Sequence, residues 1–136
     1  MKNKIIIVLA NYYPEITSEL LKGAKKELAK NGYSSNNILI IKVPGVFEIP
    51  VMISKYIEKC KAVIALGCVI KGKTPHFEYI SSSSINGIMY LSIKYKKPIG
   101  NGIITCLNKK QALDRADNKK MNKGAEAAKA IIGVLK

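Results

Sequence analysis

Lys4-Ile5-Ile6-Ile7-Val8-Leu9-Ala10, followed by Asn11-Tyr12-Tyr13-Pro14, is the stretch whose reading decides the fold. The apolar run is short, unbroken and rich in branched side chains, the pattern of a strand buried on both faces. Its basic head superficially resembles a secretion signal, but no small-residue cleavage site follows it. Pro14 stands near a helix start. Ile16, Leu20, Leu21, Ala24 and Leu28 then recur at helical spacing, and Asn31-Gly32 ends the helix. The same alternation continues along the chain. A second strand covers Ile38 to Val43. A turn-rich loop, Val43 to Pro50, leads into a helix opened by Pro50 and running to about Lys59. A third strand covers Ala62 to Val69, and a loop runs from Ile70 to His76. The next helix extends from about Phe77 to Tyr95, with Ile80, Ile88, Leu91 and Tyr95 inward. Pro98 precedes a fourth strand, Ile99 to Cys106, and two helices close the chain near Lys109–Asp117 and Asn122–Leu135. Strands alternating with helices, and continuously apolar, predict an α/β fold. It is a doubly wound, three-layer α/β/α sandwich: a four-stranded parallel sheet with helices on both faces. Ser81-Ser82-Ser83-Ser84, the only low-complexity patch, is expected early in the third helix and facing solvent.

The length of 136 residues and mass of 14.9 kDa correspond to one domain spanning 1–136. A chain of this mass exposes roughly 21,600 Å² unfolded and about 7,000 Å² folded, enough burial to fold without disulfides or a structural metal. Hydrophobic residues at 48% and charged residues at 24% exclude a disordered chain. No apolar run is long enough for a membrane-spanning helix, so the expectation is a cytoplasmic protein without a membrane partner. Cys60, Cys68 and Cys106 are odd in number and carry no CxxC or His cluster, so they read as buried reduced thiols rather than disulfides or zinc ligands. Twenty-three basic residues against nine acidic ones give a net charge of +14. Such a charge attracts nucleic acid, membranes or anionic substrates. Its composition reduces that signal: every basic residue but Arg115 is Lys, and Ile is abundant, as A/T-rich codon usage would produce. By the same reasoning the two singletons, Arg115 and His76, become informative.

In a doubly wound sheet, ligands bind beyond the carboxyl ends of the strands, where strand order reverses. The unusual segments fall there: Asn11-Tyr12-Tyr13 after strand one, Val43 to Pro50 after strand two, and Ile70 to His76 after strand three. They carry the only His, a carboxylate in an apolar setting (Glu48), two aromatics and Gly72-Lys73-Thr74. Nucleotide signatures are absent. Gly72-Lys73-Thr74 lacks the upstream Gly of a Walker loop, and Gly100-Asn101-Gly102 begins a strand rather than following one. Gly72-Lys73-Thr74 nevertheless sits between a strand and a helix, where backbone N–H groups and the helix dipole favour an anion. Arg115 supplies a planar fork suited to phosphate, against the blander reading of a surface ion pair. His76 has a side chain suited to proton transfer at neutral pH, though a histidine at a helix start is as often a cap or core residue.

Four stretches in order then carry a family resemblance. They are Ile16-Thr17-Ser18-Glu19-Leu20-Leu21, Val43-Pro44-Gly45-Val46-Phe47-Glu48-Ile49-Pro50, Gly67-Cys68-Val69-Ile70-Lys71-Gly72-Lys73-Thr74-Pro75-His76-Phe77-Glu78-Tyr79, and Asn122-Lys123-Gly124-Ala125-Glu126-Ala127-Ala128. On these the chain resembles the 6,7-dimethyl-8-ribityllumazine synthase family of riboflavin biosynthesis, whose fold is a flavodoxin-like sandwich. The resemblance implies a transferase. It condenses 5-amino-6-(D-ribitylamino)uracil with 3,4-dihydroxy-2-butanone 4-phosphate, without metal or redox cofactor. It also implies residue roles: His76 as proton shuttle; Lys73, Thr74 and Arg115 at the phosphate; Tyr12, Val46, Phe47, Glu48, Val69, Ile70, Asn101 and Lys123 at the pyrimidine and ribityl chain. Sites in this family lie between subunits, so a homopentamer is implied, with a 60-subunit shell and association with riboflavin synthase as further expectations.

The chain departs from the family pattern at several points. Asn101 stands where a neighbour's Phe is usual, Tyr13 replaces an Asn, and Lys71 replaces a common Arg. Asp117-Asn118-Lys119-Lys120-Met121 replaces a Gly-rich link, and few residues precede the first strand, which argues against the shell. Two other functions compete: an archaeal-type riboflavin synthase, and a non-catalytic Lys-rich module for RNA or anionic surfaces. The Gly-Lys-Thr-Pro-His loop argues against the first. The set of His76, Arg115 and Lys123 argues against the second, so no nucleic-acid partner is expected.

Overall fold

A computed structural model describes residues 2–136. Four strands, β1 (Ile5–Ala10), β2 (Ile38–Val43), β3 (Ala62–Ile70) and β4 (Ile99–Cys106), alternate with helices α1 (Pro14–Lys30), α2 (Ile49–Tyr56) and α3 (His76–Tyr95). Helices α4 (Lys109–Ala116) and α5 (Lys123–Leu135) follow β4. The sheet order is β2-β1-β3-β4 and every pairing is parallel, with Val8 opposite Ile41 on one side and Ala65 on the other. The expected three-layer α/β/α sandwich is therefore the fold observed.

Side chains of a strand point alternately to the two faces. Ile5, Ile7 and Leu9 enter one core with Ile16, Leu20, Leu28 and Ile131 of α1 and α5. Ile6 and Val8 enter the other with Ile49, Ile53, Ile88 and Leu91 of α2 and α3. Such double burial explains why β1 is apolar at every position: no residue in it is more than 3% exposed. β2, at the sheet edge, is only half-buried. The total exposed surface, 7585 Å², is close to that expected for the mass. Among the described residues no helix is long and apolar enough to cross a membrane.

Differences from the sequence reading are local and have physical causes. β3 continues to Ile70 because its partner β4 runs to Cys106, directly opposite. Helix α2 ends at Tyr56, and a 3-10 turn completes the segment at Ile57–Lys59. Lys97 Nζ donates to the carbonyls of Ile57 and Glu58 there (2.8 and 3.0 Å), satisfying groups that a helix end leaves free. The serine patch lies in α3, but Ser84 does not face solvent. It is 1% exposed and its hydroxyl donates to the Val46 carbonyl at 3.4 Å, tying α3 to the loop after β2.

The last two helices are joined through one buried amide. Asn122 Oδ1 accepts from the Ala125 N–H at 2.9 Å, capping α5. Its Nδ2 donates to the carbonyls of Glu19 (2.9 Å) and Ala116 (2.8 Å) and to Asn118 Oδ1 (3.0 Å). One side chain thus binds the middle of α1, the end of α4 and the start of α5. A Cβ at Gly124 would collide with the Leu20 carbonyl, and one at Gly23 with the Asn122 amide, so both glycines are required by close approach. Asn122→Ala removes the cap and strands buried carbonyls. It should destabilise the fold by about 2–4 kcal/mol in urea unfolding. Asn122→Asp sets a carboxylate oxygen against the carbonyls of Glu19 and Ala116 and should also be destabilised; stability of either variant equal to that of the unsubstituted protein would contradict this account.

Candidate functional site

β1 and β3 are neighbours, but the chain leaves them toward opposite faces, into α1 and α3 respectively. The divergence leaves a crevice beyond their carboxyl ends. A cleft of about 630 Å³ occupies it, lined by Tyr12 and Tyr13 after β1, Gly45 to Glu48 after β2, and Cys68 to Ile70, Gly72, Thr74, His76 and Phe77 along and after β3. Of the expected site residues, Tyr12, Val46, Phe47, Glu48, Val69, Ile70, Thr74 and His76 are brought together here. Gly67 makes the wall possible: a Cβ there would come within 2.7 Å of the Val46 side chain, so the loop packs directly on β3.

The loop residues are held while their side chains stay accessible. The Asn11 N–H donates to the Val43 carbonyl at 2.9 Å, extending the ladder past β1. Tyr12 is 71% and Phe47 62% exposed, two apolar surfaces facing open space. His76 opens α3, and its N–H donates to Thr74 Oγ1 at 3.4 Å. The Glu78 N–H donates to the Pro75 carbonyl at 3.0 Å, and the positive end of the helix dipole stands beside the cleft. Lys73 is exposed on the same loop but does not line the cleft.

Arg115, Lys123 and Asn101 lie elsewhere. They line a separate depression of about 410 Å³ with Ile103, Ile104, Thr105 and Met121, along edge strand β4, sharing no residue with the first cleft. Arg115 Nη1 donates to the Thr105 carbonyl (2.8 Å) and lies 3.7 Å from Cys106 Sγ. The salt bridges among the described residues do not include it, so the surface ion-pair reading does not hold. Lys123 Nζ reaches Glu126 at 3.2 Å, and Asn101 Oδ1 accepts from the Ile103 N–H at 3.0 Å, covering one donor near the sheet edge. One chain thus carries the expected set as two separate groups.

Tyr13 lies in the loop expected at the ligand end but had no role assigned to it, and Cys68 and Phe77 were not among the expected site residues. Cys68 was signalled only by its place near the end of a strand. Burial pushes the Cys68 thiol up to about 12, and the adjacent Cys106 adds to the effect. Burial also raises Cys106, with the Arg115 guanidinium pulling the other way, and raises Cys60. All three cysteines are free and buried. Among the described residues no group of three or more His, Cys, Asp or Glu is placed to hold a metal ion.

The thiol shift makes a stability prediction. Cys68 keeps its proton to higher pH folded than unfolded. Its contribution is therefore complete below about 9 and is lost as pH rises toward about 12. The urea midpoint should fall over that range, and fall less steeply in Cys68→Ala; identical slopes would contradict the assignment.

Comparison with known sequences shows the family. The sequence model of the family described as 6,7-dimethyl-8-ribityllumazine synthase matches residues 2–136. Curated proteins bearing that name are similar along nearly the whole chain. One from Campylobacter curvus is 40% identical, covering 98% of this chain and 87% of its own length. One from Aliarcobacter butzleri is 41% identical (97% and 86%), and one from Afipia carboxidovorans 41% (98% and 84%). With a family model and relatives of this identity spanning both cores, the cleft and the β4 edge, the chain belongs to the 6,7-dimethyl-8-ribityllumazine synthase family.

Proposed function

We propose that this protein, acting as one domain over 1–136, condenses 5-amino-6-(D-ribitylamino)uracil with 3,4-dihydroxy-2-butanone 4-phosphate. The product is 6,7-dimethyl-8-ribityllumazine, with phosphate and water released. The observation that carries the reading is the convergence of Tyr12, Glu48 and His76 on one cleft in a chain of this family. The pyrimidine amine attacks the ketone carbonyl and water leaves, giving an imine. Loss of a proton beside the imine expels phosphate, and the second amine closes the ring with loss of further water. The task of the protein is to hold two reactants in register, worth roughly 7–11 kcal/mol, and to move protons between them.

Each residue has a role suited to its surroundings. Tyr12 offers the pyrimidine an exposed ring face, beside the backbone of Val69 and Ile70. Glu48, with the backbone of Val46 and Phe47, accepts from the ribityl hydroxyls. His76 shuttles the protons of enolisation and phosphate departure. Thr74 and Lys73, beside the start of α3 and the positive end of its dipole, receive the phosphate. Arg115 of an adjacent copy completes that cradle: its Nη1 is anchored on the Thr105 carbonyl, and the fork has further N–H groups to offer an anion.

Arg115, Lys123 and Asn101 serve the cleft of an adjacent copy, in a homopentamer. Two observations support this: their separation from the first cleft, and the apolar residues Tyr79, Met89, Tyr90 and Ile93 standing exposed along α3. A homopentamer is preferred to a 60-subunit shell, because Asp117-Asn118-Lys119-Lys120-Met121 replaces the Gly-rich link; association with riboflavin synthase belongs to the same proposal, as does a cytoplasmic location, with which three buried free thiols agree.

Mixing the protein with both substrates should produce lumazine absorbance; its absence would overturn the reading. His76→Gln should lower kcat by about 10²–10⁴ with nearly unchanged thermal unfolding. Normal turnover with a large drop in melting temperature would make His76 structural. Arg115→Lys keeps the charge but not the fork. It should weaken use of the phosphate substrate by about 1.5–3 kcal/mol and leave the KM for the pyrimidine nearly constant. Equal weakening toward both substrates would make Arg115 a structural residue.

A further inference from the structure

We infer that Tyr13, a residue with no assigned part in the reaction, is a positioning residue that fixes the Tyr12 ring as the stacking platform for the pyrimidine. The inference rests on the reading that Tyr12 stacks on that substrate. Tyr12 is 71% exposed in a loop, where a ring free to change rotamer would be a poor platform. Its ring meets the Tyr13 ring edge-on, with centroids 4.9 Å apart and planes at 81°. That is the favoured geometry for an aromatic pair, with the positive edge of one ring against the negative face of the other.

Tyr13 is itself well fixed. Its ring is half-buried and packs against the core beneath α1. Its carbonyl accepts three donors: the N–H groups of Ile16 (3.0 Å) and Thr17 (2.9 Å) and the Thr17 hydroxyl (3.1 Å). Thr17 is in turn 1% exposed. On the other side, Asn11 is tied to Val43. Tyr12 thus projects from between two anchored residues, and the one ring that braces it is rooted in the core. The brace lowers the ordering cost of binding because Tyr12 is already oriented when substrate arrives.

The test is a double-mutant cycle read by steady-state kinetics with each substrate varied in turn. Tyr13→Leu keeps an apolar side chain over the core but removes the edge-to-face contact. It should raise the KM for the ribitylaminopyrimidine roughly 2- to 12-fold, the range such a pair is worth. The kcat and the KM for the phosphate substrate should change little. Tyr13→Phe retains the ring and should hold the pyrimidine KM near its original value. On a Tyr12→Leu background, Tyr13→Leu should have no further effect, since a positioning residue has nothing left to position. An equal effect in both backgrounds, a fall in kcat alone, or an unchanged pyrimidine KM in Tyr13→Leu would each overturn the inference. Failure of the unsubstituted protein to make lumazine would instead overturn the reading of the function, so the two failures are distinguishable.

Discussion

The opposite exits of the chain from β1 and β3 are the constraint on which the site depends. Two adjacent parallel strands feed α1 on one face and α3 on the other, so no connection crosses the space above their ends. A cleft is then a consequence of topology, and the loop after β2 closes its third side. The arrangement is stable because β1 is buried on both faces and each helix layer covers alternate residues of the same strands. Burial of that extent holds the loop ends rigidly, which matters for chemistry that relies on orientation.

A second constraint acts within the layer of α1, α4 and α5. Asn122 gathers α1, α4 and α5, and the residues beside its partners include both cationic members of the β4 group. Arg115 immediately precedes Ala116, whose carbonyl Asn122 holds, and Lys123 immediately follows Asn122 as the first residue of α5. The polar knot that stabilises the helix layer therefore also sets the spacing of the two cations. It is fully hydrogen-bonded, as a buried amide must be to avoid a net cost. The two groups of residues are thus each rigid, and each is built from a different part of the sheet.

Much of this was legible in the sequence because it depends on local rules. Unbroken branched runs identified the strands, Pro14 and Pro50 marked helix starts, and Asn31-Gly32 marked a stop; Gly32 does adopt a positive φ of 89°. The loops carrying Tyr12, Glu48 and His76 followed from strand order. What was not legible depends on contacts between distant segments. Nothing in Asn122 announces that Glu19 and Ala116 will meet it. Ser84 faces inward because the Val46 carbonyl lies across from it, 38 residues away in sequence. The split between the cleft and the β4 edge requires knowing which strand ends at the sheet boundary, and that is decided by crossovers rather than by composition.

The central claim is that one active site combines the cleft of one copy with the β4 edge of another. Complementation between two defective proteins measures it most directly. His76→Gln damages the cleft and Arg115→Gln the edge; both are unfolded in one tube, refolded together, and assayed for lumazine formation. With random assembly, about a quarter of the interfaces pair an intact cleft with an intact edge, so the mixture should recover about a quarter of the original activity. Activity no greater than the mean of the two separate variants would contradict the account and confine each site to a single chain.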